Sequence, residues 1–336
     1  MVYPDFIGIG AQKAGTTWLY YALAEHPDLW LPPLKELHYF NHAEATRREL
    51  LGRFVGQEPR NRRWRRTVRL RLAEHVEERS LAGLPWDLRF FFGRRDDRWY
   101  GRLFEPGRGR MVGEITPDYS RLGPAAVARV AQLVPDARIL YFLRHPVERA
   151  WSGAVMFFTK RRGVALRDVD DERLERHLRA AMNRSRTAYL RTIQRWQRHY
   201  PPERIFVGFL EDIAFHPDEL LAALCSFLGV QPRRATTAME RINPGASALV
   251  PARVAATIAR VHLDDLAALA TRFEGYPRLW LDSARRLLEV PPDAGELSYP
   301  YWTDPTWGAG GRDEVAALGL RSASLATLDR GAGRGA

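Results

Sequence analysis

A glycine- and threonine-rich loop, Gly10-Ala-Gln-Lys13-Ala-Gly15-Thr16-Thr17, follows a short apolar run near the start of the chain. Glycines let a backbone approach an anion closely, while amides at a helix start and threonine hydroxyls donate hydrogen bonds to it. The two glycines have P-loop spacing, but Thr16 stands where a P-loop has its lysine, and the lysine lies inside the loop. We therefore predict a phosphate-binding loop centred on Lys13.

Magnesium chemistry needs a further residue that the sequence does not offer. A nucleotide triphosphatase holds its metal with an aspartate at the end of a neighbouring strand. The best candidate strand, 138–143, is followed by Arg144 instead. The sequence thus predicts no metal site and makes a P-loop small-molecule kinase the weaker alternative.

A second candidate phosphate site is Arg144-His-Pro-Val-Glu-Arg149-Ala-Trp-Ser152. Arg144 carries a permanently charged, forked set of donors, and Ser152 adds a hydroxyl two turns into the following helix. Arg149 is interpreted equally as a brace for that helix or as a ligand. Both candidate sites lie where a strand ends and a helix begins, which is the edge where open α/β sheets bind ligands.

A third stretch, Lys35-Glu36-Leu-His38-Tyr-Phe40, offers a carboxylate and an imidazole as candidate general bases. If the run is strand-like, Glu36 and His38 face the same side. Of the 51 basic residues only Lys13, Lys35 and Lys160 are lysine. Two of them fall in these two N-terminal motifs, where a compact point charge differs from a planar guanidinium.

The elements that position these residues alternate between strands and helices. Apolar runs predict strands at 6–10, 112–115, 138–143 and 204–210, with helices at about 16–25, 146–158 and 212–228. This order predicts an α/β fold with a mostly parallel sheet flanked by helices. We predict one domain over 1–303 with a helical, basic insertion at about 44–95, and a flexible tail over 304–336.

Charge and composition set broader limits. The net charge of +11 suggests an anionic ligand, which leaves nucleic acid, a membrane surface or a phosphorylated small molecule open. The arginine-rich segment 60–71 makes a nucleic-acid-binding protein another alternative. The single cysteine, Cys225, and the absence of a long apolar run predict a cytoplasmic protein without a membrane span.

With these motifs the chain resembles the PAPS-dependent sulfotransferases, whose co-substrate is 3'-phosphoadenosine 5'-phosphosulfate (PAPS) and whose product is 3',5'-ADP. The phosphosulfate loop of that family matches Gln12 to Thr17, and its 3'-phosphate motif, R-x-P-x-x-R-x-x-S, matches Arg144 to Ser152. The resemblance implies a P-loop-like three-layer fold without a metal. The donor-binding residues that it implies are Gln12, Lys13, Ala14, Gly15, Thr16, Thr17, Trp18, Arg144, Ser152 and, in a less typical loop, Arg241.

On the acceptor side the stretch around Glu36 resembles the heparan-type and other glycan sulfotransferases, which implies Glu36 as the general base. Cytosolic small-molecule sulfotransferases use a histidine, so His38 remains the competitor. The stretch Gly113-Glu114-Ile-Thr-Pro-Asp-Tyr119 resembles a family segment, but Ile115 replaces a lysine that meets acidic sugars. Lys35, Glu36, Glu114 and Tyr119 are the implied acceptor-binding residues. Donor contact or simple surface exposure stays open for Lys35, and a structural hydrogen-bonding role stays open for Glu114.

Taken together, the sequence predicts transfer of a sulfuryl group to a hydroxyl or amine of a glycan, glycolipid or small molecule. Glu36 is expected to take the proton, and Lys13 to stabilise the leaving phosphate. Nucleic acid is not the expected partner, and peripheral membrane contact stays open. The oligomeric state is not predicted.

Overall fold

A computed structural model describes residues 1–41, 52–77, 81–233, 249–289, 295–308 and 311–332 of the chain. Within these ranges the strands are Phe6–Gly10 (β1), Leu29–Trp30 (β2), Met111–Ile115 (β3), Arg138–Leu143 (β4), Ile205–Phe209 (β5), Leu249–Pro251 (β6), Glu296–Ser298 (β7) and Ala323–Ser324 (β8). Strands β1 and β4 coincide with their predicted bounds. Strands β3 and β5 differ from theirs by one residue at an end or at both.

The helices of the described residues alternate with these strands. They are Thr16–Ala24 (α1), Pro59–Glu77 (α2), Leu84–Phe92 (α3), Asp97–Arg102 (α4), Pro124–Leu133 (α5), Pro146–Val155 (α6), Asp171–Arg179 (α7), Ala181–Ser185 (α8), Tyr189–Gln197 (α9), Leu210–Phe215 (α10), Pro217–Leu228 (α11), Ala252–Arg272 (α12), Tyr276–Glu289 (α13), Arg312–Ala317 (α14) and Leu325–Ala332 (α15). Pro217 divides the predicted helix 212–228 in two. Helices α2 and α3 lie in the segment that was predicted to be a helical insertion.

The main sheet has six strands in the order β2-β3-β1-β4-β5-β8. All neighbours pair in parallel except β8, which runs antiparallel to β5. Strand β1 is buried along its whole length, as a central parallel strand must be when helices cover both faces. The α/β prediction is confirmed, and the carboxyl ends of β1, β3 and β4 lie side by side at one edge.

The C-terminal segment corrects one prediction. Strand β8 extends the sheet beyond β5, so a flexible tail from Asp304 onward is wrong for this stretch. The cause is the buried carboxylate of Asp212 at the start of α10. It accepts hydrogen bonds from Ser322 N at 2.7 Å, Ser322 Oγ at 2.5 Å and Arg321 N at 3.1 Å. These three hydrogen bonds to a buried carboxylate order the segment despite its glycine-rich composition, which was the basis of the prediction.

Candidate functional site

The predicted phosphate loop, residues 11–15, connects β1 to α1 at the carboxyl edge of the sheet. Gly10 and Gly15 adopt positive φ angles of 140° and 81°, and Gly15 is the N-cap of α1 without a side-chain cap. Ala11 N donates to Phe142 O at 2.7 Å, which fixes the loop against β4. The first amides of α1 therefore start from a rigid turn and remain available to an anion.

All three lysines of the chain converge on this loop. Lys35 Nζ lies 3.3 Å from Thr16 Oγ1 and 3.1 Å from Thr17 Oγ1. Burial lowers the pKa of Lys35, and the nearby charge of Lys13 adds to that effect while Glu36 opposes it. Burial likewise lowers the pKa of Lys13, with further lowering by the charges of Arg144 and Lys160.

Two consequences follow for the sequence-based expectations. Lys35, for which the sequence left contact with the donor or with the acceptor open, lies against the predicted phosphate loop. Lys160 was not assigned to the site from the sequence. It is the third of only three lysines in an arginine-rich chain, and that rarity could have pointed to it. It lies in the π-helical turn Met156–Arg161 that continues α6, a distortion common near functional sites. Mutually repelling cations gathered at a helix start suit an anionic ligand.

Arg144 follows β4 and faces the loop, but part of its guanidinium is already engaged. Its Nε and Nη2 donate to Glu148 Oε2 at 2.9 and 2.7 Å, and its Nη1 lies 3.3 Å from the carbonyl oxygen of Lys13. Glu148 therefore occupies one side of the guanidinium fork. Arg144 braces the loop that carries Lys13, and its remaining N–H groups are the ones left for a ligand.

The helix after Arg144 is held by buried contacts. Tyr189 on α9 donates its hydroxyl to Arg144 O at 2.7 Å, and Tyr301 N donates to Glu148 Oε1 at 2.7 Å. Ser152 is buried on α6. His145 lies among the rings of Trp280, Tyr301 and Trp307, and burial lowers its pKa to about 3. That imidazole is enclosed by aromatic rings and supports the packing of α6.

The remaining members of the predicted donor set are near the same loop or outside the described residues. Ala14 is buried beneath the loop and Trp18 is buried on α1, where the indole N–H has no partner among the described side chains and backbone. Gln12 is part of the loop itself. Arg241 lies outside the described residues.

Glu36 and His38 face each other, although not for the predicted reason. The segment 31–38 is not a strand, and both residues have left-handed backbones, with φ of 67° and 53°. The backbone reverses at each residue, and Glu36 N is fixed to Ile115 O at 3.2 Å. As a result His38 Nε2 lies 3.3 Å from Glu36 Oε2.

The second ring nitrogen of His38 identifies its protonation state. Nδ1 lies 3.0 Å from Asn41 Oδ1, while Asn41 Nδ2 is directed at Asp118 Oδ2, 3.3 Å away. Both imidazole nitrogens therefore face acceptor oxygens, and only the protonated ring can donate to both. Burial pulls the pKa of His38 down, but the hydrogen bonds that the ring donates to Glu36 and Asn41 and the charges of Glu36 and Asp118 outweigh burial and raise that pKa. Asn41 was missed because a single amide carries no sequence signal.

The same contacts set the charge of Glu36. Burial pushes the pKa of Glu36 up, but the hydrogen bond to His38 and the charges of Lys35, His38 and Arg63 outweigh it, so the pKa is lowered. Glu36 is thus an ionised carboxylate beside an imidazolium. A carboxylate can accept a proton and an imidazolium cannot, so this geometry favours Glu36 over His38 as a base.

Three residues of the candidate site have strained backbones. Among the described residues, Lys13, Glu36 and His38 are the non-glycine residues with positive φ, at 72°, 67° and 53°. Each such conformation costs a non-glycine residue about 1–2 kcal/mol and persists only where the surroundings impose it. Strain of this kind concentrates at functional sites. Here it coincides with the three side chains that the sequence assigned to catalysis.

Glu114 and Tyr119 were expected to bind the acceptor, with a structural hydrogen-bonding role for Glu114 left open, and both side chains are buried. Glu114 is 1% exposed and Tyr119 is 0% exposed. Glu114 accepts hydrogen bonds from the hydroxyls of Tyr100 at 2.5 Å, Thr116 at 2.7 Å and Tyr119 at 3.0 Å, and burial raises its pKa. The Tyr119 hydroxyl also accepts from Tyr39 N at 2.9 Å. These residues position the segment that carries Glu36 and His38.

Two other expectations concern the chain outside the site. Cys225 is buried on α11 as a free thiol. Of the helices within the described ranges, none combines the length and apolar character needed to cross a bilayer.

Comparison with known proteins identifies relatives in one enzyme family. A model of the sulfotransferase family matches residues 4–234. The membrane-associated sulfotransferase kil1 of Dictyostelium discoideum is 26% identical over 153 residues, which is 44% of this chain and 22% of that protein. A sulfotransferase structure from Alicyclobacillus acidocaldarius superposes with a TM-score of 0.53 at 24% identity, covering 80% of this chain and 95% of that one. The structural match supports the P-loop-like fold of these enzymes.

Proposed function

The chain belongs to the sulfotransferase family, and on that premise we propose that it transfers the sulfuryl group of PAPS to a hydroxyl or amine. The observation that carries the proposal is the position of Lys35, whose ammonium lies 3.1 Å from Thr17 Oγ1 in the predicted phosphate loop and 3.9 Å from Glu36 Oε1, so that the loop and the candidate base adjoin. The acceptor is a glycan, a glycolipid or a small molecule. No metal takes part in the proposed reaction.

The residues around the loop fit such a donor. They supply a glycine-capped helix start, the hydroxyls of Thr16 and Thr17, and the ammonium groups of Lys13 and Lys35. The pKa of Lys13 is lowered by burial and by other cations. A dianionic phosphosulfate would relieve that repulsion. Arg144, Ser152 and Arg241 are proposed for the 3'-phosphate, with Gln12, Ala14, Gly15 and Trp18 shaping the loop.

PAPS supplies an activated sulfuryl group, and the side chains of this protein accept the proton and stabilise the negative charge that develops. Glu36 removes the proton from the acceptor as the new bond to sulfur forms and the bond between sulfur and the bridging phosphate oxygen breaks. Lys13 stabilises the negative charge that the leaving 3',5'-ADP gains. Protonated His38 holds the Glu36 carboxylate in position.

The test is transfer from PAPS labelled on sulfur, assayed against a panel of glycans, lipid-linked sugars and small phenols and amines in the presence of EDTA. The proposal expects a labelled product and an equal amount of 3',5'-ADP from at least one acceptor class. A strict requirement for magnesium, or transfer from ATP rather than PAPS, would contradict it.

A further inference from the structure

Residues 52–77 and 81–92 carry an unusual share of exposed apolar surface. Of the ten large apolar side chains exposed among the described residues, seven lie here: Phe54, Val55, Leu70, Leu72, Leu81, Leu88 and Phe92. Soluble proteins rarely gather such side chains in one short segment unless the surface contacts a partner or a membrane.

Arginines are interleaved with these apolar groups on α2. A groove of about 520 Å³ is lined by Arg62, Arg65, Arg66, Arg69 and Leu70, and we call it the basic groove. These positions repeat at three- and four-residue intervals, so they share one face of the helix. The opposite face packs inward through His75, which is buried against Asp87 at 2.7 Å.

The apolar rim of this groove consists of Val55 and Leu70, and Arg65 holds the turn that carries Val55 in place. The Nη1 of Arg65 lies within hydrogen-bond distance of three carbonyl oxygens, those of Arg53 at 2.7 Å, Phe54 at 3.1 Å and Gly56 at 2.9 Å. The helical turn 52–55 is therefore fixed beside α2, with Val55 77% exposed and Leu70 53% exposed nearby. Arg62, Arg66 and Arg69 are exposed and form no ion pair with a carboxylate of the described residues. Their charge is thus not neutralised within this part of the chain.

We infer that the basic groove and its apolar rim form a docking surface for a membrane that contains anionic lipids. A lipid surface fits both the arginines and the apolar rim, because lipid phosphates pair with guanidinium groups while apolar side chains enter the boundary between headgroups and acyl chains. A linear polyanion would pair with the arginines and leave Val55 and Leu70 in water. A second copy of the chain would bring the same arginines together and repel.

The surface adjoins the candidate active site. Arg63, also on α2, is close enough to Glu36 for its charge to lower the pKa of that carboxyl. Docking through α2 would therefore bring the site close to lipid headgroups. The docking itself does not depend on the proposed reaction, so binding and turnover can fail separately.

The test is co-sedimentation of the full chain with vesicles of phosphatidylcholine alone or with 30% phosphatidylglycerol. We expect binding to anionic vesicles to exceed binding to neutral vesicles at least tenfold and to weaken in high salt. R62E/R66E/R69E should lower that binding at least a hundredfold, since each basic residue near an anionic surface contributes on the order of fivefold. V55S/L70S should lower it several-fold.

Matched controls separate docking from general charge and folding. R198E/R260E/R285E makes the same charge change at three exposed arginines elsewhere, and Met182→Ser removes an exposed methionine from another face. Both should bind vesicles like the unchanged chain, and circular dichroism should be the same for all variants. Equal binding to neutral vesicles, no vesicle binding, or an equal loss in the control triple would overturn the inference. Tight binding of heparin or duplex DNA without vesicle binding, or a dimer whose formation hides the groove, would overturn it as well.

Discussion

Replacing Glu36 with glutamine removes the carboxylate while nearly preserving the size of the side chain, so it isolates the role of charge at this position. A positioned general base contributes typically 10²–10⁴-fold to a rate, and the expected fall in kcat is of that order. The substitution also removes the carboxylate that faces His38 Nε2 at 3.3 Å. Because Glu36 raises the pKa of His38, we expect that pKa to fall in the variant.

The assay is single-turnover formation of 3',5'-ADP from PAPS with the best acceptor of the panel. Binding of 3',5'-ADP, followed by calorimetry, should change by less than about threefold because Glu36 does not contact the loop hydroxyls. Glu203→Gln, at an exposed carboxylate away from the site, is the matched control and should behave like the unchanged chain.

The pH profile supplies an independent check. The lowered pKa of Glu36 keeps it ionised at pH 5, so kcat/KM should persist below pH 6.5. If His38 were the base, kcat/KM would instead decline as the pH falls through a pKa above the ordinary 6.5 of histidine. An active Glu36→Gln together with an inactive His38→Ala and that decline would refute the reasoning.

Three further outcomes are expected. Lys13→Ala should lower kcat by two or more orders of magnitude at constant fold, measured by the same assay with circular dichroism as control. Gly15→Ala should lower the free energy of unfolding by about 1–3 kcal/mol, measured in urea titrations. The reason is that Gly15 has a φ of 81° and that an added Cβ would lie 2.3 Å from Ile213 Cδ1. Unchanged stability would argue against this turn. Burial raises the pKa of Glu211 to about 8. Because this carboxyl has a higher pKa in the folded state than in the unfolded state, the folded protein loses stability as the pH rises from the unfolded-state pKa to the folded-state pKa. Glu211→Gln, which can still accept from Trp280 Nε1, should therefore stabilise the fold by about 4 kcal/mol at pH 8 and by little at pH 4.5, and equal effects at both would contradict this.

The central strands and the position of the loop between β1 and α1 could be predicted from sequence because local signals agree there. β1 and β4 are uninterrupted apolar runs, and both are followed by a helix start with glycine or proline. Buried parallel strands read as continuous apolar segments, so their bounds are sharp.

The remaining features depend on contacts between distant segments. Strand β8 forms because the carboxylate of Asp212 binds the backbone of residues 321 and 322, more than a hundred positions away. Glu36 and His38 come together through two left-handed residues, which period-two alternation cannot anticipate. The burial of Glu114 depends on three hydroxyls contributed by α4 and by the turn after β3. None of these partners is marked by local composition.

Calorimetric titration of 3',5'-ADP in EDTA measures whether the loop around Lys13 binds PAPS-type nucleotides without a metal. We expect binding to the unchanged chain, at least tenfold weaker binding to Lys13→Ala, and much weaker binding of ATP with magnesium. Absence of 3',5'-ADP binding in EDTA, or equal or tighter binding of ATP with magnesium, would contradict this expectation.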